Sequence, residues 1–323
     1  MTFSAYTGAT AFALELVPVG RIVGIKLDTD GVVVVGVPDK CSDGATPSPA
    51  KAAGFRVGDI ITKVRGADVD SCESLKALTN KNGGKNEILA VRVERCDETI
   101  QLQVKPATIA GGERTLGLWV RDGVSGIGTV TFYDPETKIY GALGHAINDA
   151  DSGVLLPVKT GSISSATVSG VAKGAAGTPG QLHGSFDFDR VIGGISKNTP
   201  SGIFGTSESG FAGGAVTVAD ADEIRTGAVT IISNVESSEV REYSAEITRI
   251  YSEKGDGRSM MIHITDAELI AKTGGIVQGM SGSPILQGGK LIGAVTHVLI
   301  NDPTRGYAVT LEKMLENSGI FGV

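Results

Sequence analysis

Residues 279–297 read GMSGSPILQGGKLIGAVTH. A Gly-x-Ser-Gly-Ser-Pro bend leads into an apolar run, a Gly-Gly turn and a second apolar run, which is the pattern of a β-hairpin entered through a tight turn. Glycines around Ser281 let the backbone turn sharply, expose the hydroxyl and aim amide groups at one point. A serine nucleophile needs these features, together with a base that takes its proton. In this geometry the N–H groups of Gly279 and Ser281 are the expected oxyanion donors. An α/β-hydrolase elbow requires a helix directly after the serine, and Pro284 followed by a strand argues against it.

The hairpin resembles the nucleophile hairpin of chymotrypsin-like serine proteases, so the base is sought among the four histidines. His145, in YGALGHAINDADSG, lies between a strand and a polar turn and precedes Ser281, which is the chymotrypsin order. His183 sits in a glycine-rich stretch, His263 alternates within MIHIT, and His297 follows the nucleophile on its strand. For the carboxylate that orients the imidazole, Asp266, Asp149, Asp151, Asp187 and Asp189 are all candidates. Asp266 also reads as the N-cap of a helix beginning at Ala267, and a His–Ser dyad remains a further arrangement.

Upstream, RIVGIKLDTDGVVVVG (21–36) reads as two strands around an Asp-Gly turn, and SPAKAAGF (48–55) as a short helix stopped by Gly54. VGDIITKVRGADV (57–69) alternates as a strand. SCESLKALTNKNGG (71–84) is a helix capped by Ser71 and ended by Gly83-Gly84, and 86–106 is a hairpin turning near Cys96. Residues 106–114 form a linker. Beyond it, TVTFYD, GVLLPVKT, AVTIIS, YSAEITRIYS, SMMIHIT and KLIGAVTHVLI are short strands, with helices at 266–274 and 310–319. Many short strands between turn signals indicate a sandwich or barrel rather than a βαβ sheet.

The whole chain fits this reading. Its 323 residues suit about two domains, and 41% hydrophobic residues with 46 glycines suit a turn-rich β protein with a packed core. Residues 1–110 carry 13 basic and 13 acidic side chains and residues 111–323 carry 16 and 23, so the net charge of −7 belongs to the second part. No basic stripe supports a nucleic-acid partner. Cys41, Cys72 and Cys96 show no metal-ligand spacing, and neither a metal nor an organic cofactor is expected. No apolar run approaches the roughly 18 residues of a spanning helix, and the start lacks the basic region of a secretory signal.

A longer colinear set of motifs resembles the stage IV sporulation protein B peptidase family of spore-forming bacteria: RIVGIKL, SPAKAAGFRVGDIITKVRG, GIGTVTFYDPETKIYGALGHAINDADSG, NTPSGIFGT and TGGIVQGMSGSPILQGGKLIGAVTHVLINDPTRGY. The resemblance implies a mainly β protein, with an α+β PDZ domain (17–107) after an N-terminal or membrane-proximal segment (1–16). A chymotrypsin-like double β-barrel peptidase domain (108–323) would follow. It places the family's histidine on His145, its serine on Ser281 and its aspartate on Asp266. It implies an endopeptidase that cleaves itself and a membrane-bound regulator of an intramembrane protease, triggering processing of a late mother-cell sigma factor precursor. The expected location is the space between the two spore membranes, reached by secretion from the forespore, with an anchor not evident in this chain. The PDZ domain is expected to bind peptide C-termini by strand addition, with Val23-Gly24-Ile25 as its carboxylate-binding loop. The alternative is a protease-like PDZ peptide-binding protein with little turnover.

Overall fold

The computed structural model describes residues 14–81, 87–96, 98–251 and 258–318. The chain enters through β1 (Glu15–Pro18) and then β2 (Ile22–Gly36), one continuous strand where two were expected. The Asp30-Gly31 turn signal is spent on a register shift between Asp28 and Val33, where Gly31 takes φ +94°. The second half of β2 joins the PDZ unit. This contains α1 (Pro49–Ala53), β3 (Ile60–Val64), β4 (Ala67–Asp68), α2 (Cys72–Asn80) and the hairpin of β5 (Leu89–Arg95) and β6 (Glu98–Val104). Ser48 caps α1, and Gly54, at φ +86°, ends it. Ser71 caps α2 through the Ser74 N–H; the Gly83-Gly84 stop lies outside the described residues.

The Gly58-Asp59 signature has a physical reason here. Asp59 is fully buried and accepts a forked pair of bonds from Arg95, at 2.6 and 2.8 Å, and one from the Arg56 N–H at 2.9 Å. The carboxylate thereby ties the loop before β3 to the end of β5. Val32, Val34, Phe55, Ile61, Leu75 and Val91 are among the side chains of the core over which these elements close.

A small ribbon of β7 (Ala107–Thr108) and β8 (Arg114–Thr115) leads to the first barrel. Its remaining strands are β9 (Trp119–Tyr133), β10 (Ile139–Ala142), β11 (Thr160–Ala172), β12 (Gln181–Thr199) and β13 (Gly202–Thr206). The ring runs β9-β10-β13-β12-β11-β2 and is closed by pairing of β2 with β9. β14 (Val216–Thr217) pairs with β1, which pairs in turn with β9. The run GVLLPVKT, expected as a strand, is instead a loop touching Asn148 through one bridge at Leu155. Its apolar residues serve burial: Leu156 packs with Leu27, Val33 and Val35.

The second barrel is closed by β15 (Gly227–Glu236), β16 (Glu239–Ile250), β17 (Met260–Ile264), β18 (Pro284–Gln287), β19 (Lys290–Leu299) and β20 (Asp302–Thr310), with α3 (Ala267–Thr273) between β17 and β18. α4 (Leu311–Ser318) presents Leu311, Met314 and Leu315 on one face, against Leu16, Phe132 and Phe204 of the first barrel. The protein is therefore mainly β, a PDZ unit followed by two six-stranded antiparallel barrels of the chymotrypsin-like kind.

Two expectations change. Residues 15–28 pair with peptidase strands, so the packing boundary falls inside β2 and not at residue 17. Val23-Gly24-Ile25 is not an open carboxylate-binding loop. β9 flanks it on one side and β11 on the other, with Gly24 opposite Ile127 and Ser164, so its amides belong to two ladders. β9 also reaches α2 of the PDZ unit, where the Cys72 N–H donates to Asp122 at 2.7 Å.

Candidate active site

The nucleophile turn is built by β18 and β19 from below and by β9 from the side. Gly279 and Gly282 take φ +104° and +96°, left-handed values that favour glycine. At Gly282 a Cβ would run into the Thr129 carbonyl and the Leu143 backbone. Inside the turn, Ser283 N–H donates to Met280 O at 2.9 Å and Gly282 N–H to Val295 O at 2.8 Å. Two buried threonines of β9 clamp it from the first barrel. Thr129 donates its N–H to Ser281 O at 3.0 Å and its hydroxyl to Gly279 O at 2.7 Å, while the Thr131 hydroxyl donates to Gly282 O at 2.8 Å. Among the described residues, the N–H groups of Gly279 and Ser281 donate to no protein acceptor.

His145 follows β10 on a bend in which Leu143 and Gly144 take φ +71° and +70°. Its Nδ1 lies 2.8 Å from the Ala146 carbonyl. A carbonyl only accepts, so Nδ1 carries the proton and Nε2 keeps its lone pair. Burial pulls the pKa of His145 below the ordinary imidazole value, and the bond to Ala146 opposes this in part. The ring lies 5.0 Å from that of His297 on β19, tilted by 39°.

The loop after His145 is held from two distant places. Asn198, at the end of β12, accepts from Ile147 N–H at 2.9 Å and donates to the carbonyls of Ile147 and Leu156 at 2.7 and 2.9 Å. Asp149 is buried, accepts from the Ser152 N–H and hydroxyl at 2.9 Å each, and pairs with Arg121 of β9 at 2.6 Å. Burial raises the Asp149 pKa, but the Ser152 bonds and the Arg121 charge outweigh it and leave the carboxyl below its ordinary value.

His145 and Ser281 open onto one cleft between the barrels, with a cavity of about 290 Å³. The Ser281 hydroxyl donates to the Thr296 carbonyl at 2.6 Å. Asp266 is committed elsewhere: as N-cap of α3 it accepts from Leu269 N–H at 2.9 Å and from Ser244 N–H at 3.3 Å. Neither bond involves His145, and His145 and Ser281 line the cleft while Asp266 is not among its lining residues. His263 faces Glu246 at 3.5 Å, and His183 lies on β12 opposite Gly170. Asp187, opposite Ser165 on β11, and Asp151, which pairs with Arg121, belong to other settings. The roles of Thr129, Asn198 and the Ala146 carbonyl carried no signal in the sequence, because each depends on a partner that only the fold supplies. The three cysteines are free.

A PDZ unit joined to a double barrel with this cleft defines a serine peptidase of the PDZ-containing kind. Comparison with known families agrees: residues 112–315 match the SpoIVB peptidase S55 model and residues 23–105 a PDZ domain model. The chain belongs to the SpoIVB peptidase S55 family. Among solved structures, the PDZ domain of an SdrC-like protein from Listeria monocytogenes is 21% identical, covering 28% of this chain and 87% of that one, with a TM-score of 0.24. The Rv3671c protease in an inactive form is 14% identical, covering 62% of this chain and 85% of that one, with a TM-score of 0.37. A serine-to-alanine mutant of Rv3671c from M. tuberculosis H37Rv, also 14% identical, covers 62% of this chain and 82% of that one, with a TM-score of 0.34. No curated protein matches the chain significantly.

Proposed function

We propose that Ser281 is the nucleophile of this peptidase and His145 its general base, oriented by the Ala146 carbonyl rather than by Asp266. The observation that carries the reading is the shared cleft: Ser281, with two undonated amides beside it, opens onto the same cavity as an imidazole whose Nδ1 proton is fixed. In the reaction, the Ser281 hydroxyl leaves the Thr296 carbonyl, gives its proton to His145 Nε2 and attacks the scissile carbonyl. The Gly279 and Ser281 amides receive the oxyanion, and His145 then protonates the leaving amine. Water attacks the acyl-enzyme with His145 again as base and frees Ser281. The test is labelling by a fluorophosphonate followed by peptide mapping. The expected adduct is on Ser281 and is lost in Ser281→Ala; an adduct on another serine contradicts the assignment.

The family resemblance supports a sporulation-signalling role, in which the protein acts between the two spore membranes on itself and on a membrane-bound regulator of an intramembrane protease. Intact-mass analysis over time, with Ser281→Ala alongside, tests the self-cleavage. Binding of peptide C-termini by the PDZ unit would use an edge other than Val23–Ile25, which β9 and β11 already flank. One observation favours the reading of a binding protein with little turnover: the Ser281 hydroxyl is turned toward Thr296.

A further inference from the structure

The cavity beside Ser281 is lined mostly by residues of the first barrel, and no residue of β19 is among them. Five aliphatic side chains line it, Ile25, Val124, Ile127, Leu143 and Ile147, and no charged side chain does. Polar groups occur at Asn148, at Gln278 and at the reacting residues themselves. A peptide lying across Ser281 therefore meets a mainly aliphatic recess within reach of its scissile bond, with no charged side chain in the recess to pair with a charge.

The recess has a specific origin in β9. Gly126 and Gly128 share one face of the strand by its two-residue period. At Gly128 a Cβ would come within 2.9 Å of Ile25 Cδ1 and would also strike Leu143, so glycine there lets these two side chains meet and form the floor. At Gly126 a Cβ would meet nothing within 4 Å, and its φ is not in the left-handed region. The place where a side chain would stand is left open, and Gly126 borders the cavity.

We propose that this recess is a substrate-specificity pocket for an aliphatic side chain flanking the scissile bond, and that Gly126 sets its depth. The proposal deepens, and rests on, the assignment of Ser281 as nucleophile. It gives an apolar stretch of β2, upstream of the peptidase family match at 112–315, a part in substrate choice through Ile25.

The experiment uses the full chain and its Gly126→Ala and Gly126→Leu variants. Cleavage sites in a denatured-protein peptide library are mapped by mass spectrometry, and Ser281 is titrated with a small fluorophosphonate. The parent is expected to show aliphatic enrichment at one position flanking the scissile bond. Gly126→Leu is expected to cut such bonds at least ~10-fold more slowly and to shift residual cleavage to Gly, Ala or Ser at that position, with Ser281 still labelled by the probe. Gly126→Ala should fall between, and serves where Gly126→Leu folds poorly. The proposal is overturned if the parent shows no aliphatic enrichment, or if both variants keep the parent's profile. Loss of Ser281 labelling in the parent overturns the nucleophile assignment itself, so the two failures are read on different signals.

Discussion

The two barrels deliver their halves of the site by different means. The second barrel presents Ser281 on a turn whose shape is written locally, in Gly279, Gly282 and the bonds among residues 277–295. The first barrel presents His145 on a loop shaped from afar, by Asn198 some fifty residues later and by Arg121 on β9. The nucleophile turn takes its shape from its own glycines and is then clamped by Thr129 and Thr131 of β9, whereas the loop after His145 takes its shape from its tethers, so the two should respond differently to loss of a tether.

The largest effect short of the reacting pair is expected at Asn198. Replacing it by alanine removes three hydrogen bonds to the loop after His145, each worth about 1 kcal/mol. Thermal unfolding should show a loss of about 3 kcal/mol, with kcat falling more than KM rises. An unchanged kcat would show that His145 needs no support from this tether. A smaller effect is expected for Thr129→Val, which keeps the shape but leaves the buried Gly279 carbonyl without its 2.7 Å partner. The cost is about 1–3 kcal/mol of stability, read by denaturant titration, and slower labelling of Ser281 should accompany it if the clamp aligns the oxyanion donors.

The smallest expected effect is a displacement of the pH profile. Burial holds the His145 pKa below the ordinary imidazole value of about 6.5, so the free enzyme keeps its base unprotonated to lower pH than an exposed histidine would. The acid limb of kcat/KM should lie below pH 6.5. The same depressed pKa means that the stability it governs is fully present above about 6.5, the unfolded value, and is lost as pH falls toward the folded pKa. An acid limb above 6.5 would mean that a carboxylate, and not the Ala146 carbonyl, faces the ring.

Sequence and structure agree most where the chemistry is local. The bend at 279–284, the caps at Ser48 and Ser71, and the helix beginning after Asp266 all follow from residues within a few positions of one another. Of the two readings of Asp266, helix cap and catalytic acid, the fold displays the cap, with both oxygens accepting from backbone amides. Val23-Gly24-Ile25 departs from its expected role for a related reason. An apolar–glycine–apolar alternation suits a ligand-binding loop and a buried strand equally, and the arrival of β9 and β11 from a hundred or more residues away decides between them. GVLLPVKT carries enough apolar residues for a strand, yet only Leu156 is fully buried and the segment covers the outer half of β2 instead.

Whether the imidazole of the serine–histidine pair is oriented by a main-chain carbonyl is read from the rate at which a fluorophosphonate phosphonylates Ser281, with loss of fluoride, in the parent, His145→Ala and Asp266→Asn proteins. Asparagine keeps the cap bond from Leu269 N–H while removing the carboxylate charge and the longer bond from Ser244 N–H. The expected result is a loss of ~10³-fold or more for His145→Ala and a rate within about threefold of the parent for Asp266→Asn, since a role confined to capping leaves catalysis nearly untouched. A collapse of Asp266→Asn to the His145→Ala level would contradict it and return Asp266 to the catalytic centre.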